Sequence, residues 1–182
     1  MRHLALIVAG LALGIAGTLG IQHFTTTHDA LAPYAGQQSR QVASLSASDI
    51  DDLSLGKGWG LARPAELNGY PGPLHVLELA DDLGLSGEQR DAAQRSFDRM
   101  QSRARELGHA LIAAEAGIDA LFREAAADPE TLNARLAVSE GLRSKLRATH
   151  LLAHLEVTPV LTTEQRATYK RLRGYGHAHG RH

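Results

Sequence analysis

The strongest constraint on the fold is a stripe of apolar residues that recur every three or four positions between residues 93 and 125. The stripe consists of Ala93, Phe97, Met100, Ala104, Leu107, Leu111, Ala114, Ile118, Leu121 and Ala125. A repeat of about 3.5 residues lies along one side of a helix and is buried when a second helix packs lengthwise against it. Ser86 and Gln89 form a capping-box pattern that predicts the start of this helix. The stripe therefore predicts a long helix that needs a partner.

The partner helix is predicted after Asp128-Pro129-Glu130, a sequence that ends one helix and starts the next. It ends near Pro159, which cannot continue a helix without losing a hydrogen bond. Five apolar residues are expected to face the first helix: Leu132, Leu136, Leu142, Leu146 and Ala153. A second capping box, Thr162 with Gln165, begins a final helix. These signals predict a long antiparallel helix hairpin.

The amino terminus is predicted to cross or to enter a membrane. Residues 4–21 carry no charge and are long enough to span a bilayer, which needs about 20 apolar residues. Arg2 on the amino side predicts that the rest of the chain lies outside the cytoplasm. Cleavage after Ala30-Leu31-Ala32 is disfavoured by Pro33. We expect a periplasmic protein anchored to the inner membrane by residues 4–21, the alternative being a soluble periplasmic protein after signal cleavage.

The chain divides into four predicted parts. Residues 1–22 are the signal-anchor or signal peptide, 23–63 a periplasmic tether with a short helix, 64–174 the helical domain and 175–182 a flexible His-rich tail. The short helix of the tether is predicted from about Ser48 to Leu55, and another from Pro73 through Leu83, because Gly84 follows.

Composition excludes several classes of function. The formal net charge is −1 and the charges of both signs are interspersed, which indicates no nucleic-acid partner and no polybasic surface for anionic lipid. The chain has no cysteine, so neither a disulfide framework nor a thiolate metal cluster is available.

The two capping boxes also carry a resemblance to a known family. The strings LSGEQ at 85–89 and LTTEQ at 161–165 flank the hairpin behind an export signal. In this respect the chain resembles the LTXXQ-motif family, which contains Spy/CpxP-like periplasmic chaperones, ZraP-like zinc-associated proteins and CnrX-like metal sensors. The stretch from Asn68 to Ala80 is similar to the branch described as periplasmic heavy-metal sensors.

The resemblance, added to the helix signals, gives a definite expectation for the fold. It implies an all-α protein, with a long antiparallel helix hairpin and short flanking helices in a four-helix hooked protomer. The N-terminal membrane-spanning helix precedes this domain. The resemblance further implies a homodimer without catalytic activity.

The histidines are the residues most suited to carry chemistry. His150 and His154 are four residues apart on the predicted second long helix, so both imidazoles project from one face about 6 Å apart. Neutral imidazoles at this spacing can bind Zn, Ni, Co or Cu. Alternatively, both rings occupy a half-buried face and form hydrogen bonds with neighbours. The resemblance favours metal, because the CnrX-like branch uses a ligand pair on the corresponding helix.

Two residues cannot complete a metal site, so further ligands are expected elsewhere. His75 and Glu78 lie one turn apart on the predicted first helix of the domain. If that helix folds back from Gly84, His75 stops on the order of 12 Å short of the level of His154, at about 1.5 Å per residue. His109 lies two residues from the stripe and is expected to face solvent. The tail offers weaker ligands in His177, His179 and His182.

These residues favour a binding protein over an enzyme. The sequence has no recognisable nucleophile motif and no Gly-rich phosphate loop, and we expect no organic cofactor. Glu115 near the stripe is interpreted as an exposed flanking charge. Two functions remain open. One is a membrane-anchored heavy-metal sensor that regulates an envelope or metal-resistance response through a membrane partner, such as an anti-sigma factor or a sensor kinase. The other is a Spy/CpxP-like periplasmic chaperone that holds unfolded proteins.

Overall fold

The computed structural model describes residues 32–175, and its helices belong to a compact unit that begins at Gly36. The helices are α1 (Ala47–Ser54), α2 (Arg63–Leu67), α3 (Pro73–Glu78), α4 (Gly87–Arg123), α5 (Pro129–Val157) and α6 (Thr163–Leu172), with a 3-10 turn at Thr158–Val160. No β-strand occurs in this part of the chain beyond one isolated bridge between Val42 and Leu45. The predicted all-α class is confirmed.

Two predictions concern parts of the chain outside the described residues. These are the membrane-spanning segment at residues 4–21 and the tail ligands His177, His179 and His182. Within residues 32–175, no helix combines the length and the apolar character that crossing a bilayer requires.

The hairpin is formed by α4 and α5, which run antiparallel. Ser96 near the start of α4 donates to Glu156 near the end of α5, whereas Ser139 donates to Glu115. Asp128 caps α5 by accepting from the N–H groups of Glu130 and Thr131. Pro129 costs no hydrogen bond at the first helical position. The signal for the start of α5 therefore acts as the sequence predicts.

The buried faces of the hairpin differ from the predicted stripes at the tip. Ala93, Ala104, Leu107 and Leu111 of α4 are buried as expected. Ala125, however, lies beyond the end of α4 at Arg123 and has a φ of +53°. Leu136 of α5 is 40% exposed, so its predicted place in the interface is wrong. Ala125 and Leu136 both lie beyond the buried clusters, at the tip of the hairpin. There only two helices pack together, so their apolar side chains stay partly exposed.

The segment before the hairpin packs on it closely. We call residues 36–61 the N-terminal strap; it contains α1, the predicted short helix. Val42, Leu45 and Leu53 of the strap are at most 2% exposed and share a buried cluster with residues of α4 and α5. Trp59 donates its indole N–H to Asp49 and lies under the Arg143 guanidinium, 5.1 Å from the ring centroid. The described part of the predicted tether therefore lies against the hairpin.

Helix α3 is shorter than the sequence predicts. It ends at Glu78, and residues 79–84 form turns instead of continuing the helix to Leu83. These turns bury Ala80, Leu83 and Leu85 against the base of the hairpin, together with Val157 and Tyr169. Burial of these side chains outweighs the local preference for helix.

The two LxxEQ strings are joined to each other through their glutamines. Both capping boxes form as predicted, on Ser86 and on Thr162. Beyond the caps, the amide of Gln89 donates to Oε1 of Gln165 at 2.8 Å, and Gln165 donates back at 3.0 Å. Gln89 also donates to the backbone carbonyl of Val160 at 2.8 Å. The paired amides therefore join the starts of α4 and α6, so each glutamine does more than cap its own helix.

The variant Gln165→Glu tests this pairing. A carboxylate keeps the oxygen that accepts from the cap but cannot donate. Oε1 of Gln89 therefore keeps the N–H of Ser86 but loses its second donor. A typical hydrogen bond contributes about 0.5–1.5 kcal/mol to stability, and we expect a loss of that size in urea unfolding. Glu88→Gln, at an exposed position of α4, is the control and should change stability by less than about 0.5 kcal/mol. If Gln165→Glu and the parent are equally stable, the hydrogen bonds between Gln89 and Gln165 add nothing to stability beyond the two capping boxes.

Candidate metal centre

His150 is a buried imidazole with a nitrogen that no described group satisfies. Its side chain lies on the inner face of α5, and the residue is 2% exposed. Within residues 32–175, its Nε2 atom has no hydrogen-bond partner. Burial, and secondarily the nearby His154, lowers the pKa of His150 to about 4. The ring is therefore neutral at pH 7 and carries an available lone pair, which is the form that binds metal ions.

His154 is held in one orientation by the turn that precedes α3. Its Nδ1 lies 2.7 Å from the carbonyl oxygen of Tyr70. Because a carbonyl can only accept, Nδ1 carries the proton in the neutral ring and Nε2 keeps its lone pair. Gly72 lies directly on the ring, since a Cβ atom at this position would be 2.8 Å from Cε1 of His154. Backbone contacts of this kind orient the histidine ligands of metal sites.

His75 and Glu78 are brought together on α3 as the sequence predicts. Nδ1 of His75 lies 2.8 Å from a carboxylate oxygen of Glu78. The carboxylate accepts from Nδ1, which leaves Nε2 of His75 available. In metal sites, a carboxylate often accepts from the ring nitrogen of a histidine ligand that does not bind the metal, and it thereby orients the ring. The geometry gives Glu78 this supporting contact, and direct ligation by Glu78 stays a prediction.

His75 reaches the level of His150 along the hairpin. Both residues line one cavity of about 290 Å³, together with Phe97, Met100 and Gln101 of α4. The expected shortfall on the order of 12 Å assumed a regular helix as far as Gly84, with a rise of about 1.5 Å per residue. The turns at residues 79–84 replace that helix, and His75 lies opposite residues 97–101 instead of residue 94.

The predicted ligands do not converge on one point. Across residues 32–175, no three His, Asp or Glu side chains are grouped so that they could hold a metal ion. The arrangement consists of oriented donors on two elements, with His75 on α3 and with His150 and His154 on α5. His109 is exposed on α4, as expected, and does not take part.

Glu66 of α2 is a residue that sequence reasoning missed. Its Oε1 atom accepts from Tyr169 at 2.5 Å and from Arg173 at 3.3 Å. Burial, followed by the contact with Glu66, raises the pKa of Tyr169, which keeps the phenol protonated as a donor. Within the described chain, Oε2 of Glu66 has no hydrogen-bond partner and lies 3.8 Å from Nδ1 of His154. Glu66 thus places a negative charge beside His154.

Glu115 corrects a second expectation from the sequence. Instead of an exposed flanking charge, it is 9% exposed and accepts hydrogen bonds from Ser139, Ser44 and Arg143. Burial alone would raise the pKa of Glu115, but the hydrogen bonds from Ser139 and Ser44 and the Arg143 charge outweigh it, and the pKa is lowered. Because all these partners are donors, the carboxylate is a structural link between strap and hairpin.

Comparison with known proteins gives one match. A family model described as heavy-metal resistance matches residues 62–168, which is more than half of the chain and includes His75, His109, His150 and His154. This match agrees with the resemblance to the Spy/CpxP-like metal-resistance proteins. No curated protein and no solved structure matches the chain.

Proposed function

Because this chain belongs to the heavy-metal resistance family, we propose that it is a non-catalytic, membrane-anchored sensor of a transition-metal ion in the periplasm. The observation that carries the proposal is the buried Nε2 atom of His150, which has no hydrogen-bond partner among residues 32–175. An unsatisfied polar atom in a protein interior costs about 1–3 kcal/mol. A metal ion would supply the missing partner.

The donors available for the ion are neutral nitrogen atoms. His75 and His154 each have Nδ1 fixed by an oxygen acceptor, so their Nε2 lone pairs are free. Together with His150 they give three imidazoles, a set that suits Zn, Ni, Co or Cu. Because these donors lie on α3 and α5 without converging, binding requires α3 to move so that His75 approaches His150 and His154.

This movement is the proposed signal. A ligand shifts a conformational equilibrium only by its difference in affinity for the two states. Here the state in which α3 approaches α5 gains ligands, so the ion favours it. Gly56, Lys57 and Gly58 of the strap form another wall of the same cavity. The strap leads in sequence toward the predicted anchor at residues 4–21, so we propose that it transmits the movement to a membrane partner such as an anti-sigma factor or a sensor kinase.

The proposal is tested by calorimetric titration of the full chain in detergent with Zn, Ni, Co and Cu. Replacing His150 or His154 by Ala should weaken binding of the preferred metal by about 10–100-fold or more, because each removes a donor. His109→Ala, at an exposed position, is the matched control and should bind like the parent. All variants are compared in a background with Ala at 177, 179 and 182, which removes the tail histidines. Parental affinity in both His150→Ala and His154→Ala would refute the sensor function.

A chaperone function is the second candidate, and exposed apolar side chains favour it. Val138, Leu152 and Leu155 of α5 are 57%, 62% and 54% exposed. Such side chains could hold unfolded clients. If the chain suppresses aggregation of a denatured protein equally well with His150→Ala and without metal, the chaperone function is favoured over sensing.

A further inference from the structure

The cavity at His150 contains a donor that the proposed function does not use. Met100 of α4 lines it together with His75 and His150. We propose that the cavity binds a soft monovalent cation, Cu(I) or its analogue Ag(I), with the Met100 thioether as a ligand beside the two imidazoles. This inference rests on the proposed function, because it names the class of metal that the same site takes.

The donors of the cavity include a soft sulfur atom. Thioethers select Cu(I) among the biological metals, whereas Mg, Ca and Mn prefer oxygen. The chain contains two methionines, Met1 and Met100, and no cysteine. Met100 is therefore the sulfur that the described part of the protein offers to a metal, and it lines the same cavity as His150, the imidazole with the unsatisfied nitrogen.

The charge of the cavity lining also favours a monovalent ion. The described residues that line it include no carboxylate. Glu78 contacts Nδ1 of His75 and is more than half exposed, and Lys57 is paired with Asp52 at 2.9 Å. The desolvation penalty of an ion rises steeply with its charge, and nothing inside the cavity compensates a second positive charge. The lining of the cavity therefore favours a monovalent cation.

The number of donors and the apolar walls of the cavity likewise suit a soft monovalent ion. Closed zinc sites are almost always tetrahedral, with four protein ligands. The cavity offers three imidazole and thioether donors, and Leu74, Pro73 and Phe97 supply apolar walls. A low coordination number and an apolar, carboxylate-free surrounding suit Cu(I) better than a divalent ion.

The test uses the full chain in detergent, with Ala at 177, 179 and 182 and with [methyl-13C]methionine. On titration with Ag(I), the methyl resonance of Met100 should shift and reach saturation at one equivalent, because the sulfur binds the ion. The spectrum of Met100→Leu assigns the resonance, since Met1 is the other methionine. Met100→Leu should also lose affinity for Ag(I), and for Cu(I) under anaerobic conditions, by at least about tenfold, the smaller loss typical of a disrupted metal site. Phe97→Leu alters a wall of the cavity without removing a donor, so its loss of affinity should be clearly smaller than that of Met100→Leu, and the methyl resonance of Met100 should still shift.

The outcomes separate this inference from the proposed function. An unmoved Met100 resonance with unchanged Ag(I) affinity in Met100→Leu overturns the soft-metal inference, while a loss of Zn or Ni binding in His150→Ala would still support sensing. If His150→Ala leaves the binding of every metal unchanged, the proposed function fails as well. Equal losses in Met100→Leu and Phe97→Leu, with no shift of the methyl resonance, would assign the effect to the shape of the cavity and overturn thioether ligation.

Discussion

Lowering the pH from 6.5 to 4 should remove about 3 kcal/mol of unfolding free energy through His150 alone. In the unfolded chain the imidazole takes up a proton near its ordinary pKa of 6.5, whereas burial and the neighbouring His154 hold the folded pKa at about 4. Between these values the unfolded state binds more protons, so stability falls as the pH falls. This loss of stability is nearly absent above pH 6.5 and nearly complete below pH 4. Its size follows from the pKa shift, since one pKa unit corresponds to about 1.4 kcal/mol.

The measurement is urea unfolding of the metal-free chain, with a chelator present, at several pH values from 8 to 4. His150→Leu cannot take up the proton, so its stability should depend much less on pH in this range. His109→Leu, at an exposed position of α4, leaves His150 in place and should follow the parent. Carboxylates with lowered pKa values, such as Glu115 and Glu156, contribute stability that is lost mainly below about pH 4.5. The same slope for the parent and His150→Leu between pH 6.5 and 4.5 would contradict a buried, neutral His150.

The parts of the fold that could be predicted are those that depend on neighbouring residues in the sequence. The apolar stripe of α4 from Ala93 to Leu111 and the caps at Ser86, Asp128 and Thr162 are local patterns, and each acts as the sequence indicates. The length of α3 was not predictable in this way, because burial against the hairpin decides it. Leu136 illustrates the same limit, since its exposure depends on whether a third element covers the tip of the hairpin.

The same distinction between local patterns and long-range contacts holds for the candidate site. His150 and His154 were found from their spacing on one helix, and His75 was found with its neighbour Glu78. The contacts of Tyr70 with His154 and of Glu66 with Tyr169 join residues 84 and 103 positions apart in the chain, so no local pattern indicates them. The burial of Glu115 likewise depends on Ser44, from a segment that composition alone marks as a tether. Tertiary packing therefore decides which polar residues surround the histidines.

A second large loss of stability is expected from the variant Gly108→Ala, which tests how the strap packs on α4. Gly108 on α4 lies under the backbone of α1, and a Cβ atom there would be 2.1 Å from the carbonyl oxygen of Leu53 and 2.8 Å from its carbonyl carbon. Because the obstruction is backbone and not the end of a side chain, α1 as a whole must move. Overpacking of this kind costs about 1–3 kcal/mol and occasionally more. Leu53, which is 1% exposed, would lose its buried position.

The matched control is Gly141→Ala in the interior of α5, where no described atom lies within 4 Å of an added Cβ. Alanine is the better helix former by about 1 kcal/mol, so Gly141→Ala should raise the urea midpoint. Gly108→Ala gains the same helix propensity but should nevertheless lower the urea midpoint. The difference in midpoint between the two variants therefore measures how strongly the strap packs on α4. Hydrogen exchange should show faster exchange in Gly108→Ala at residues 47–54 than along the hairpin, because α1 is the element displaced. If Gly108→Ala instead stabilises the chain as Gly141→Ala does, the strap does not pack on α4, and the route proposed for the metal signal through residues 56–58 would lose its support.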